Sequence, residues 1–246
     1  MPRGRRLAAG LAVAVVCGGS PLAVAIAADP LTPEATTLSD AEIDKRLRFI
    51  EEKLDAHRLY GQIWYWGWMA VNAGGAIGTG IMAGLSNDQD DIVNNAVSSG
   101  LAVIGVADLV FRPLDARLGA APIATLPEAT RAERIDKLRA AEAQLRANAE
   151  RAEERTSWTV HAANLGINAL GGVIIGVLGD TKDAAISAAA NFAGGIAYIL
   201  TQPAAPARDW REYQAMAAGT AARAPVVALA LQPYTGGAGL RMTVSW

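Results

Sequence analysis

Residues 70–84 read AVNAGGAIGTGIMAG, and the reading of this stretch decides the fold. Five of its fifteen positions are glycine, yet it has no proline and no charge, and the apolar run IWYWGWM precedes it. Glycine inside a helix costs about 1 kcal/mol relative to alanine, so a helix that keeps several needs a compensating contact. Stepping by four from Asn72 gives Ala76, Gly80 and Gly84, positions that share one helix face. Small residues on one face let two helix backbones approach closely, and van der Waals packing then offsets the propensity penalty. A second stripe, Ala70, Gly74 and Gly78, flanks the first. The stretch therefore predicts a closely packed helix rather than a loop.

The same pattern occurs twice. Pro33-Glu34-Ala35-Thr36 returns as Pro127-Glu128-Ala129-Thr130, and Ile43-Asp44-Lys45 returns as Ile135-Asp136-Lys137, a shift of 92. At that shift Trp66 meets Trp158, Asn72 meets Asn164, Gly80 meets Gly172 and Gly84 meets Gly176. Asp88 and Asp91 meet Asp180 and Asp183, after which Gly105 meets Gly195 and Pro113 meets Pro203 at a shift of 90. The second stripe of amides and small residues reads Asn164, Asn168, Gly172 and Gly176. A composition bias toward Gly and Ala does not place glycines in register between copies, and a collinear series of this kind marks a tandem repeat.

Each copy has three parts. The first is a charged segment in which Ile43, Leu47, Ile50 and Leu54 repeat at four, three and four, a coiled-coil-like seam. The second copy matches it with Ile135, Leu138 and Leu145 among alanines. An uncharged run follows, about 63–85 or 157–178, with no breaker before it, so stem and run are expected to form one long helix. A short acidic loop carrying Asp88 and Asp91, or Asp180 and Asp183, leads to a second apolar run that stops before Pro113 or Pro203. The expected fold is mainly α: two long αα-hairpins, each with a charged stem and a Gly/Ala-rich apolar part, and a short C-terminal β-hairpin. The expected boundaries are a signal peptide at 1–27, a linker at 28–37, repeat 1 at 38–117, a linker at 118–127, repeat 2 at 128–208 and a tail at 209–246.

Hydrophobic residues make up 52% of the 246, charged residues 19%, and mean hydropathy is +0.20. The net charge of −2 gives nucleic-acid binding no support. MPRGRR, the apolar LAAGLAVAVVC and Ala25-Ile26-Ala27 have the three-part layout of a secretory signal, with cleavage before Ala28. Cleavage leaves 19 basic against 24 acidic residues and removes Cys17, so the mature chain has no thiol. Acylation of Cys17 is the competing reading, and the bulky Val16 before it disfavours it. In the tail, Leu240, Met242, Val244 and Trp246 alternate with Arg241, Thr243 and Ser245 beyond a Gly-Gly turn. This segment resembles the last strand of bacterial outer-membrane barrels over about seven residues, with Trp where that family prefers Phe.

Aromatic residues gather where the apolar runs begin: Tyr60, Trp64, Tyr65, Trp66 and Trp68 in one copy, Trp158 in the other. With Phe111 and Tyr198 near the return ends, they are expected to form one interfacial belt. Against membrane insertion, Asn94, Asn95, Asp108 and His161 all need partners inside lipid.

No catalytic constellation stands out. His57 and His161 do not correspond at the repeat shift, and the glycine cluster does not follow a strand, so neither a phosphate cradle nor a thiolate site is expected. Asn87, Asp88, Asp90 and Asp91 are oxygen donors without the EF-hand spacing, and Asp91 and Asp183 are expected to cap the helices that follow the loops. No enzyme activity, cofactor or metal is expected. The chain has a general resemblance to glycine-zipper membrane segments. The expected role is an exported cell-envelope scaffold, in the outer membrane or periplasm, with membrane lipids and its own copies or other envelope proteins as partners. An oligomeric pore and a soluble periplasmic adaptor bundle are the alternatives.

Overall fold

The computed structural model describes residues 37–219 in full and, beyond them, only the backbone of 226–234 and 237–245. The signal peptide, Cys17 and most of the 28–37 linker lie outside the described residues, as do the side chains on which the β-hairpin reading rests. The fully described residues contain no strand and are mainly helical.

The first copy contributes α1 (Asp40–Ala56), α2 (Arg58–Leu85) and α3 (Gln89–Phe111). A 3-10 turn (Asp115–Leu118) and the short α4 (Ala121–Ala124) lead to the second copy, which forms α5 (Arg131–Arg155), α6 (Trp158–Leu178) and α7 (Thr181–Leu200). A last helix, α8 (Ala205–Ala217), follows. Stem and apolar run are separate helices in both copies, contrary to the single long helix expected. The first break falls at His57, φ −107° and ψ 0°, and the second at Thr156 and Ser157. At each break the chain leaves the charged stem for the apolar hairpin.

The stems pack as three helices, α1, α5 and α8. Ser39 caps α1 by accepting from Glu42 N–H, and Thr130 with Glu133 forms a capping box on α5. Ile43, Leu47, Ile50 and Leu54 are all buried, against Ile135, Leu138, Ala141 and Leu145. Three alanines of α5 are thus part of its seam, Ala141, Ala149 and Ala152, while Ala132, Ala140, Ala143 and Ala147 are exposed. Arg134 pairs with Asp40 and Asp44, each at 3.1 Å, and Lys137 with Glu51 at 3.2 Å, so α1 and α5 run in the same direction. Lys53 meets Glu212 at 2.6 Å while Arg46 reaches the Ala217 carbonyl, so α8 runs opposite to α1.

Two boundaries therefore change. Residues 209–217, assigned to the tail, and 205–208, assigned to repeat 2, together form the third stem helix, with Tyr213 buried in the core. The 118–127 segment is no loose linker: Ala120 and Ile123 are buried in the same core. Gly119, with φ at 62°, makes the turn into it, a backbone conformation that favours glycine.

The apolar helices form two hairpins, α2 with α3 and α6 with α7, and α3 joins them by packing against α6 and α7. Three stretches are long and apolar enough to cross a membrane: Gln89–Phe111, Trp158–Leu178 and Thr181–Ala217. α2, expected to qualify, is 28 residues long but is not among them, because its glycines, Asn72 and indole and phenol rings dilute its hydropathy.

Candidate functional site

The glycine stripe lies inside the hairpins. In the first, a methyl placed on Gly105 would overlap the Asn72 amide, and in the second a methyl on Gly195 would overlap the Asn164 amide. The repeat shift relates these two contacts, so duplication preserved an amide seated on a glycine of the facing helix. Asn72 donates to the Trp68 carbonyl at 2.8 Å, while Asn168 donates to the Asn164 carbonyl at 2.7 Å and to its Oδ1 at 2.8 Å. The amides are therefore satisfied within their own hairpins, as buried polar groups require.

Further along, a Cβ on Gly172 would lie 2.9 Å from Ala188 Cβ, and one on Gly176 would lie 3.3 Å from Ala184 Cβ. In the first hairpin a Cβ on Gly80 would lie 3.3 Å from Ser99 Oγ, and Ser99 donates to the Ala76 carbonyl at 2.8 Å. Gly84 departs from the expectation: nothing lies within 4 Å of a Cβ there, because the first hairpin is open at its tip. The flanking stripe departs too, since Gly74 and Gly78 face open space. Gly171, which the stripe did not include, meets the other hairpin, where a Cβ would lie 3.1 Å from Leu101 Cδ1, as does Gly179, 3.5 Å from Asp90 Cα. Ser187 donates to Asn94 Oδ1 at 2.6 Å across the same junction, and Val93, Ile175 and Ala184 form a small buried cluster there.

The aromatic residues divide into two sets. Trp66 and Trp158 are exposed, at 62% and 78%, as an outward belt requires, and Tyr60 is exposed while donating to the Thr201 carbonyl at 2.6 Å. Trp64 and Tyr65 are buried, which corrects their assignment to the belt. Trp64 Nε1 and Trp68 Nε1 both donate to Thr201 Oγ1, at 3.2 and 3.1 Å, and both rings pack on Tyr198. These inward rings tie the base of α2 to the end of α7. Consecutive aromatics on a helix point in different directions, so one segment supplies both sets.

A charged cluster closes the base of the hairpins. Arg155, at 4% exposure, donates to Tyr198 Oη at 2.7 Å and pairs with Asp108 at 3.0 Å, and Tyr198 donates to Asp108 Oδ2 at 2.8 Å. Arg151 and Arg155 both donate to the Arg112 carbonyl at the end of α3, and Arg112 pairs with Glu154. Burial pushes the Glu154 carboxyl up, but its hydrogen bond to Arg151 and the charge of Arg112 hold it below the usual carboxylate range. The sequence signals for this cluster were Asp108 inside an apolar run and Arg155 at the end of the stem. Their pairing, 47 positions apart, had no local signature.

At the tips, the residues assigned to the loops take two roles. Asp88 and Asp180 are the N-caps of α3 and α7, each accepting from two backbone N–H groups. Asp91 and Asp183 sit in the first helical turns rather than in the loops or at the caps. Among the described residues no group of three or more His, Cys, Asp or Glu side chains is placed to hold a metal ion. His161 is half-buried on α6, and His57 Nε2 lies 3.0 Å from the buried Asp209 Oδ2, joining the α1–α2 break to α8. No protein-family model matches the chain, and neither the curated proteins nor the solved structures gave a match.

Proposed function

We propose that the chain is an exported cell-envelope scaffold, held in a lipid bilayer by its two glycine-zipper-like hairpins and presenting its three-helix stem to water. The observation that carries this reading is where the apolar surface lies. Ile77, Ile81, Val103, Leu170, Val173 and Val177 are each more than half exposed, and all belong to the four hairpin helices. The stem instead buries its apolar seam and faces water with ion pairs. Contiguous apolar surface of this extent on a soluble monomer marks a membrane or protein contact. The exposed Trp66 and Trp158 at the hairpin bases fit the headgroup boundary. Three of the four polar groups that embedding makes costly have partners: Asn94 with Ser187, Asn95 with the Asp91 carbonyl at 2.9 Å, and Asp108 with Arg155, whereas the half-buried His161 side chain has none among the described residues.

A scaffold fits better than a pore, because Asn72 and Asn164 are turned onto the facing helix of their own hairpins rather than toward a lumen. Self-association or other envelope proteins would complete the assembly, and no chemistry on a substrate is proposed. Alkaline carbonate extraction of a cell-envelope fraction tests the reading. Retention in the pellet is expected, and release into the supernatant would leave the soluble adaptor bundle in its place.

A further inference from the structure

We propose that Arg58 and Arg117 form a binding collar for the headgroups of anionic phospholipids at the base of the first hairpin, an inference that rests on the membrane reading above. Among the described residues, the basic side chains have a carboxylate within 4 Å except at Arg48, Arg58, Arg117 and Lys182. Two of these four meet at one place. Arg58 opens α2 and is exposed, and Arg117 lies in the turn after α3 with its guanidinium 4.6 Å from the Tyr65 ring centroid. Two glycines hold the turn against the helix. A Cβ on Gly61 would lie 3.1 Å from Arg117 N, and one on Gly119 would lie 2.8 Å from Arg58 Cδ.

The depth is also right. Each arginine is followed by an exposed leucine, Leu59 or Leu118, and Ile63 is exposed one turn further on. Trp66, the outward belt residue, stands eight positions beyond Arg58, about 12 Å along the helix. Headgroup layers are roughly 5–8 Å thick on each side of the hydrocarbon, and a long arginine side chain closes the remaining gap while its stem covers apolar surface. A guanidinium without an ion-pair partner at that level matches a lipid phosphate, with which its planar fork makes paired charge-assisted hydrogen bonds. Of the acids nearby, Asp55 lies against Gly119 beside the Arg58 stem and accepts from Ala120 N–H at 2.9 Å, and neither it nor Asp115 makes an ion pair with Arg58 or Arg117. At the repeat shift the second copy has Glu150 and Ala207 in these positions, so the collar belongs to the first hairpin alone.

The test uses the full chain reconstituted in phosphatidylcholine bilayers, with trace spin-labelled phosphatidylglycerol or phosphatidylcholine reporting the lipids that the protein immobilises. A preference for phosphatidylglycerol is expected, about fivefold for a lipid at each arginine, and fading at high salt. R58Q/R117Q should bring the two lipids level while R48Q, an exposed arginine of the stem, leaves the preference intact. R117K, which keeps the charge if the side chain is needed for packing on Tyr65, should retain most of it. Equal immobilisation of both lipids by the unaltered chain overturns the collar and leaves the embedded reading standing. Absence of any immobilised lipid overturns both.

Discussion

Tyr198 donates its hydroxyl hydrogen to Asp108 Oδ2 at 2.8 Å, and these two residues are counterparts in the duplication, 90 positions apart. Identical residues would not work at such a point. Two aspartates would repel, and two tyrosines would leave the buried Arg155 without a counter-charge. The copies diverged here to an acid and a phenol, and Arg155 completes the set by touching both.

Removing the members of that set should cost unequal amounts. Y198F deletes two hydrogen bonds to charged groups but leaves Arg155 on Asp108, for an expected loss of about 1.5–3 kcal/mol. R155M removes the buried counter-charge of Asp108, leaving it Tyr198 and the more exposed Arg112 at 3.5 Å, and should cost up to about 3–5 kcal/mol. Denaturant unfolding of the two variants in neutral detergent checks the order, and a larger loss for Y198F would contradict it.

The glycines should fall into two classes. G195A and G172A force a methyl against Asn164 and against Ala188, and each is expected to destabilise by about 1–3 kcal/mol. G74A and G78A meet open space in the single chain, so they should stabilise α2 by up to about 1 kcal/mol through propensity alone. Thermal unfolding of the four single variants in detergent separates the classes.

The two aromatic sets predict different outcomes for one kind of truncation. W64A empties a buried position and removes a hydrogen bond to Thr201, so a loss of about 3–5 kcal/mol is expected. W66A alters a ring exposed to the surroundings and should leave unfolding in detergent within about 0.5 kcal/mol of the parent. It should shift the depth at which the hairpins sit in a bilayer, readable by fluorescence quenching with brominated lipids.

The stem has a defined pH window. The hydrogen bond to Lys53 holds the Glu212 carboxyl below its ordinary 4.5, and the same contact holds Lys53 above 10.5. A depressed acid contributes stability above its unfolded value and loses it as pH falls through the folded value. A raised lysine contributes below its unfolded value and loses it as pH rises through the folded one. The pair therefore supports α1 against α8 between about pH 4.5 and 10.5, by roughly 0.5–1 kcal/mol given its exposure. E212Q should flatten that part of the acid limb of a stability profile, and an unchanged limb would count against the contact.

Much of this architecture was legible in the chain because its signals are local or periodic. The spacing of Ile43, Leu47, Ile50 and Leu54 predicts the buried face of α1, and they are buried. The register between copies carries Asn72 onto Asn164, and both amides occupy the same kind of site. Other features depend on direction around a helix or on distant partners. Trp64 and Trp66 are two positions apart and read alike in sequence, yet one is core and the other is surface. α8 was hidden because Pro203 read as the end of the helical run, whereas Pro206 sits in the first turn of a new helix, where its missing N–H costs nothing.

The sequence by itself determined that the chain is duplicated, that each copy is a charged stem followed by an apolar hairpin, and which face of each apolar helix carries its small residues. Side-chain periodicity and repeated spacing set those properties, and both can be counted along one dimension. Tertiary structure alone decided which glycines touch anything, that Asp108, Tyr198 and Arg155 meet, and that Arg58 and Arg117 are left together without an ion-pair partner. Those outcomes depend on how two helices rotate and slide against each other, and residues 40 to 90 positions apart leave no trace of that in their spacing.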